Sequence, residues 1–594
     1  MLPLLLCGLT FSTLGGAASL SPTPVVSISA GDIQGGRCSG TSDAVYFKSI
    51  PYAQPPTGDL RFAPPKPYRG EYPGGHLVAT SAAPGCIQFG SLFAVSGNTS
   101  EDCLYLDIWA PSSATKRSDL PVKVWIYGGG EDAGGISYPL YDGCNLAQDD
   151  AILVTINYRL GPLGFLSLSS AGIQGNQGIQ DLLLGLEWIQ SNIAAFGGDP
   201  AKVLLFGQSA GATNTFVIAT LPQAPKLINA AITESGGGRD VELNSTSQSL
   251  GAAFAKNLSC GLNDSGCLRA KSVSDLVASF TSLPALNSGI GISGAVGIGN
   301  SQTSQFAPYL DGEIIPSQPS EEGVRVPTIF GSNAAEGTLF ALAQYATNPD
   351  GPAGATAADY TTFLQDNFGS AASLVEQYYP LSLFNSTPYP VFFAMSQVLT
   401  ESTYTCSAYR GLNRAVQKNI PVWTYLYDHT SSCPWLSFVP AEALPIVGAT
   451  HTAEIPFVFG NLDNMPSPNG TCNSTTQEYA ISAFLKQAWT AMAANGSPST
   501  KDFHWPTYQS SLQSLGINIV NSTTAGVVDY SNCQLWDQIN NNFLKASNST
   551  AAANPTGTAS LTPSSTPRNR ASALAVNSLD WIMAGVAVGA FTLL

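Results

Sequence analysis

Apolar residues along this chain come mostly in short unbroken runs, each closed by a turn rich in glycine or proline. Residues 121–127, 151–158, 202–206, 230–234, 326–330 and 421–427 are runs of this kind, the signature of strands buried on both faces. Residues 104–109 alternate instead, as a strand with one face in a core does. Between the runs lie helical patterns. Residues 181–192 carry helical periodicity and stop before Gly197-Gly-Asp-Pro200, and residues 212–221 read as a helix that follows the 202–206 strand directly. Strand and helix in alternation predict an α/β fold with a mainly parallel central sheet covered by helices on both faces. The proline-rich segment 47–62 reads as loop, and the insertion 235–325, rich in Ala, Ser and Gly, as helices and loops over the sheet. No internal repeat is visible.

The two ends depart from this pattern. Residues 1–18 form a short apolar core ending in small residues, which predicts a secretory signal cleaved near Ala18. The folded body then extends over 19–545. Residues 546–572 are rich in Ser, Thr and Pro and predict an unpacked, O-glycosylated stalk. Residues 573–594 predict a GPI-attachment signal: small residues Ala571-Ser-Ala573, a spacer, then an apolar tail from Trp581 to Leu594. That tail is shorter than the roughly 20 residues that a bilayer-spanning helix needs.

Composition sharpens the setting. The chain holds 11 cysteines, of which Cys7 lies in the signal, and ten Asn-x-Ser/Thr sites from Asn98 to Asn548, both of which fit a secreted glycoprotein. The formal net charge of −16 argues against a nucleic-acid partner and against electrostatic attraction to anionic membranes. Nothing in the sequence specifies an oligomeric state.

The candidate chemistry gathers where strands end. The 202–206 run enters Gly207-Gln-Ser-Ala-Gly211 and then a helix, the strand–turn–helix setting of a nucleophile elbow. Ser209 would stand above the sheet with a helix N-terminus beneath it. The 121–127 run enters Gly128-Gly-Gly130, a source of backbone N–H donors. Such a serine needs a base, and the four histidines are His76, His429, His451 and His504. His451 lies in a loop between apolar segments, while His429, at a strand end, and His504 read as structural. For the acid, chain order favours a residue between Ser209 and His451 just after a strand. Glu336, in Asn333-Ala-Ala-Glu-Gly337, fits; Glu454, close to the histidine in sequence, competes.

With these residues in place, the chain resembles the type-B carboxylesterase/lipase family (carboxylesterase/cholinesterase-like α/β-hydrolases), and most its fungal secreted members. The matching blocks are Glu101-Asp-Cys-Leu-Tyr-Leu106, Trp125-Ile-Tyr-Gly-Gly-Gly130, Asn157-Tyr-Arg-Leu-Gly161, Gly164-Phe-Leu166, Asn176-Gln-Gly-Ile-Gln-Asp181, Phe196-Gly-Gly-Asp-Pro200, Gly207-Gln-Ser-Ala-Gly211, Asn333-Ala-Ala-Glu-Gly337 and His451-Thr-Ala-Glu-Ile-Pro-Phe457. They run in family order from about residue 25 to about residue 545. The resemblance implies the α/β-hydrolase fold, Ser209 as nucleophile, Glu336 as orienting acid and His451 as base. It implies an oxyanion hole from the N–H groups of Gly129, Gly130 and Ala210. No metal or organic cofactor is implied.

Three departures stand out. Many relatives carry Glu where this chain has Gln208, and an aromatic residue where it has Glu131. The segment between Cys86 and Cys103 lacks the Trp that stacks on choline in cholinesterases, which argues against choline esters. The implied activity is hydrolysis of small-molecule carboxylic esters through an acyl-enzyme, with soluble, short-to-medium acyl esters expected because the 86–103 loop is too short for an amphipathic lid. The alternatives are a triacylglycerol lipase and an adhesion-type relative without chemistry. The family's first disulfide predicts Cys86–Cys103, and Cys260–Cys267 is expected with it. Sequence proximity and elimination give Cys406–Cys433, Cys472–Cys533 and Cys38–Cys144.

Overall fold

The computed structural model describes residues 23–552 except 40–42, 91–92, 149, 284–305, 346–347, 467–468, 511–512 and 520–522. The strands in chain order begin with β1 (Val25–Ile28), β2 (Gly31–Gln34), β3 (Gly36–Arg37), β4 (Ala44–Pro51), β5 (His76–Val78), β6 (Tyr105–Pro111) and β7 (Leu120–Ile126). There follow β8 (Ile152–Ile156), β9 (Gly198–Gln208), β10 (Ala230–Glu234), β11 (Thr328–Asn333), β12 (Val422–Tyr427), β13 (Gln513–Ile519) and β14 (Thr523–Asp529). β1, β2 and β5 form a small sheet of their own, and the rest form an 11-stranded sheet in the order β14-β13-β12-β11-β10-β9-β7-β8-β6-β4-β3.

The middle of that sheet, from β8 through β7, β9, β10, β11 and β12 to β13, is parallel, and both flanks are antiparallel. The unbroken apolar runs belong to the parallel part, where both faces are covered: Val122, Val124, Trp125 and Ile126 are all 0% exposed. Trp125 packs edge-on against Phe459 and tilted against Phe206 on the next strand, which welds β7 to β9. The helices Gln177–Asn192, Ala210–Thr220 and Thr476–Asn495 supply the covering layers.

Register decides where the chemistry collects. Ile126 of β7 pairs with Gly207 of β9, Gln208 with Glu234 of β10, and Glu234 with Gly331 of β11. The C-terminal ends of four parallel strands therefore line up, and the glycine run, the serine turn and the Glu336 loop leave the sheet side by side. In an open parallel sheet this is the edge where ligands bind.

Several residues of the sequence blocks hold the frame. Arg159 forms a buried ion pair with Asp181, 2.7 Å apart, and also donates from its backbone N–H to that carboxylate. Arg61 grips Glu101 with two guanidinium nitrogens, Nε at 2.6 Å from Oε1 and Nη2 at 2.5 Å from Oε2.

Three expectations need correcting. Segment 47–62 is not all loop: its first residues belong to β4, where Phe47 and Ile50 are buried and a bulge with Ser49 at φ 60° interrupts the register. The disulfides are Cys38–Cys144, Cys86–Cys103 and Cys260–Cys267, as expected, but then Cys406–Cys533 and Cys433–Cys472. Proximity in sequence misleads there. Cys406 opens the helix Cys406–Gln417, which lies against the helix Cys533–Ala552 through the Arg410–Asp537 ion pair. Cys433 sits beside Ser432, whose N–H and hydroxyl bind Glu478 at the start of the helix Thr476–Asn495, and Cys472 directly precedes that helix. Finally, the helix Cys533–Ala552 runs past Lys545, where the stalk was expected to begin. The signal segment 1–18, the rest of the stalk and the segment 573–594 lie outside the described residues.

Candidate active site

Ser209 is set by its backbone. It has φ 58° and ψ −125°, and it caps the helix Ala210–Thr220 directly after β9. A serine pays for that conformation with strain that only a fixed frame sustains. The frame is explicit: Ser209 N–H donates to the Glu234 carbonyl, and its own carbonyl accepts from Thr213 N–H, both at 3.0 Å. The flanking glycines are required by close approach. A Cβ on Gly207 would come within 2.5 Å of the Gly211 carbonyl, and one on Gly211 within 2.1 Å of the Ile126 carbonyl. The turn is thus pressed against β7 without side chains in the way. Ser209 itself remains half-buried at the surface of the turn.

The glycine run faces it from the end of β7. Gly129 and Gly130 have φ 122° and 67°, left-handed values that turn the chain sharply and that glycine adopts without penalty. Among the described residues, none of the N–H groups of Gly129, Gly130 and Ala210 donates to a protein acceptor. Three backbone N–H groups beside the serine turn are thus unengaged.

His451 and Glu336 come from separate loops. Glu336 stands where the β11 loop enters the helix Gly337–Gln344; His451 lies between short helices Leu444–Val447 and Ile455–Phe459. Both are 0% exposed. Glu336 Oε2 accepts from His451 Nδ1 at 2.6 Å, and Glu336 Oε1 accepts from Asn333 N–H at 2.8 Å. The imidazole packs against the rings of Tyr404 and Phe340, at 4.7 and 5.1 Å, and those two rings stack on each other 6.2 Å apart. Trp435 Nε1 donates to Thr452 Oγ1, holding the loop on the other side.

The carboxamide of Gln208 lies across the imidazole, its Nε2 3.2 Å from His451 Nε2 and 3.4 Å from Nδ1. His451 therefore stands beside the residue that precedes the serine. Among the described residues the Ser209 hydroxyl itself makes no hydrogen bond; in sites without substrate such contacts are often open and tighten on binding. Of the other histidines, His429 faces Glu478 at 3.1 Å, His76 faces Gln34 at 3.2 Å, and His504 is exposed.

Glu454, the rival acid, turns away from His451. Its Oε2 accepts from Asn333 Nδ2, so it ties the His451 loop to the Glu336 loop. Burial, and then the Glu336 carboxylate, push the Glu454 carboxyl up; burial, and then Glu454, push Glu234 up. Both carboxyls are thereby pushed toward their neutral form.

Asn333, Tyr404 and Gln208 are site residues that the sequence reading did not assign. Asn333 carried a signal, a polar side chain at the end of an apolar strand, three residues before the acid. Tyr404 carried none: it sits in a turn of π-helix, Thr400–Thr405, far from the other residues in sequence. The same holds for buried Arg239, whose guanidinium lies 5.8 Å from the Tyr404 ring centre.

A parallel sheet with a strained serine at the end of its central strand, a histidine–carboxylate pair beside it and open backbone donors opposite defines an α/β-hydrolase. The profile of the carboxylesterase family matches residues 22–536. The chain is 33% identical to the para-nitrobenzyl esterase of Bacillus subtilis (strain 168) over 489 residues, 80% of this chain and 91% of that one. It is 31% identical to the fumonisin B1 esterase of Sphingopyxis macrogoltabida, over 84% of this chain and 89% of that one. A solved PNB esterase structure superposes with a TM-score of 0.70 and 28% identity, covering 87% of this chain and 99% of that one. The chain belongs to the carboxylesterase family and is a carboxylic ester hydrolase.

Proposed function

We propose that the protein is a secreted serine esterase that works through an acyl-enzyme on soluble, short-to-medium acyl esters. Ser209 Oγ attacks the ester carbonyl while His451 Nε2 takes its proton, and the oxyanion forms against the N–H groups of Gly129, Gly130 and Ala210. His451 then hands the proton to the leaving alcohol. Water, activated at the same nitrogen, releases the acid and restores Ser209. Glu336 keeps Nδ1 protonated, so that Nε2 is the basic nitrogen, and it offsets the charge of the imidazolium that forms. The observation that carries this reading is the buried 2.6 Å contact between His451 Nδ1 and Glu336 Oε2, beside the elbow.

The loop closed by Cys86–Cys103 supports an esterase over a triacylglycerol lipase. Its apolar residues Ile87, Phe89 and Val95 are buried in the body, and the Phe93 ring packs against Phe438. Among its described residues, a loop so anchored offers no apolar face for an oil surface to pull open. The signal-like N-terminus, the ten glycosylation sites and the C-terminal tail support secretion and display at the cell surface through a GPI anchor.

The test is a series of esters of rising acyl length, followed across the solubility limit. A smooth optimum at short-to-medium chains, with no jump when substrate forms an interface, is expected; a jump would favour a lipase. Phospholipase C should release the cell-bound enzyme, and a mature protein that retains Leu594 would exclude the anchor.

A further inference from the structure

Glu131 follows the glycine run, and its carboxyl is buried, the residue being 3% exposed. It holds φ 66°, and its carbonyl accepts from Gly161 N–H at 2.6 Å, so the turn carries it inward. There Glu131 Oε2 accepts from Asn214 Nδ2 at 3.2 Å. Asn214 is 0% exposed and lies on the helix Ala210–Thr220. One side-chain contact thus joins the loop of Gly129 and Gly130 to the helix that begins with Ala210.

Each partner leaves one oxygen unsatisfied: Glu131 Oε1 and Asn214 Oδ1 are buried and accept no hydrogen bond, the nearby Tyr158 hydroxyl donating instead to the Tyr127 carbonyl at 3.1 Å. Two buried acceptors left bare are costly. A single proton on Glu131 Oε1 supplies what both lack, since a carboxylic acid and a carboxamide pair through two hydrogen bonds, N–H to C=O and O–H to C=O. The same pattern recurs in the other half of the site. Asn333 Nδ2 donates to Glu454 Oε2, while Asn333 Oδ1 and Glu454 Oε1 are both buried and bare.

We propose that Glu131 works as a neutral carboxylic acid, doubly hydrogen-bonded to Asn214, and is the positioning residue that fixes the two halves of the oxyanion hole relative to each other. The inference rests on the oxyanion hole and nucleophile assigned above. Burial is the main cause that pushes the Glu131 carboxyl up, to about 8, and Asp132 adds to it; Asn214, the Tyr158 hydroxyl and Arg239 pull the other way. Those groups face it from its own loop, from the nucleophile helix, from the end of β8 and from the turn after β10, and Tyr127 faces it from the end of β7. Above about pH 8 the acid ionises, the O–H bond to Asn214 is lost, and a carboxylate stands one residue from the Gly130 donor, where the oxyanion must form.

The test is the pH dependence of kcat/KM for wild type, Glu131→Gln and Glu131→Ala, with covalent labelling of each by a fluorophosphonate. Wild type should lose about tenfold per pH unit above its alkaline limit. Glutamine reproduces both hydrogen bonds and cannot ionise, so Glu131→Gln should hold its rate to pH ~9, roughly tenfold above wild type relative to their neutral rates. Glu131→Ala should lose at least about tenfold in kcat, with KM changed less, and glutamine should restore it. An alkaline limb in Glu131→Gln that coincides with that of wild type overturns the inference. If wild type is labelled at Ser209 in that case, the serine-esterase reading survives; if Ser209 is not labelled at all, that reading fails and takes this inference with it.

Discussion

His451 Nδ1 and Glu336 Oε2 lie 2.6 Å apart, with 115 residues of sequence between them. Neither loop is free to drift. Asn333 donates from its backbone to Glu336, and from its side chain to the Thr450 carbonyl and to Glu454. Thr450 Oγ1 in turn receives Leu339 N–H and the Thr338 hydroxyl. The two loops are one hydrogen-bonded block, and the imidazole is held at its Nδ1 edge while Nε2 faces the elbow.

It follows that Glu336→Gln should be severe although it changes little in volume. The amide removes the charge that stabilises the imidazolium and can present N–H where an acceptor is needed. A fall in kcat on the order of 10³–10⁴, with KM nearly constant, is expected from the analogous change in other triads. Steady-state kinetics on a soluble ester decide this. Glu454→Gln, which leaves the Nδ1 contact in place, should cost far less; the reverse ranking would exchange the two carboxyl roles.

Gln208 predicts a pH effect of definite sign. Its carboxamide lies against His451, so Gln208→Glu places a second carboxylate beside the imidazole. A nearby negative charge favours the protonated ring. The acid limb of kcat/KM should therefore move to higher pH in the variant. A limb that stays in place or moves lower would mean that residue 208 does not face the ring in solution.

Stability should fall as the pH rises from mildly acid to alkaline. Burial, opposed by the Ser49 N–H, pushes Asp107 up to about 7, and burial pushes Glu131 up to about 8. Glu234 and Glu454 are raised by burial and by neighbouring carboxyls. For such groups the folded chain keeps protons that the unfolded chain has already released. Their contribution is full below the ordinary carboxyl range and is lost as pH climbs through the raised values. Glu478 has the opposite sign: burial pushes it up, but donors from His429, Ser432 and Thr475 outweigh burial and hold it below the ordinary range. Its contribution is lost only as the solution becomes strongly acid. Tm measured by calorimetry should decline between pH ~5 and ~8, less steeply in Glu131→Gln. A rising Tm over that interval would contradict the burial argument.

The strands and the serine turn were legible because each is local: an apolar run, a glycine-bounded serine and a following helix announce themselves within a few residues. Glu336 and His451 were legible by the order of segments and by resemblance. What could not be read are contacts fixed by sheet register. Asn214 meets Glu131 only because Ile126 pairs with Gly207, which sets the helix Ala210–Thr220 against the glycine turn. Cys433 meets Cys472 only because Glu478 caps its helix with Ser432 and Thr475. Neither relation leaves a trace in spacing or composition.

Covalent labelling decides whether Ser209 is the nucleophile. The purified protein is treated with a fluorophosphonate, digested and mapped by mass spectrometry, in parallel with Ser209→Ala and His451→Gln. Wild type should carry one adduct, on Ser209, in step with the loss of esterase activity. Ser209→Ala should fold normally and take up none, and His451→Gln should label far more slowly. An adduct on any other residue, or ester turnover retained by Ser209→Ala, would contradict the account.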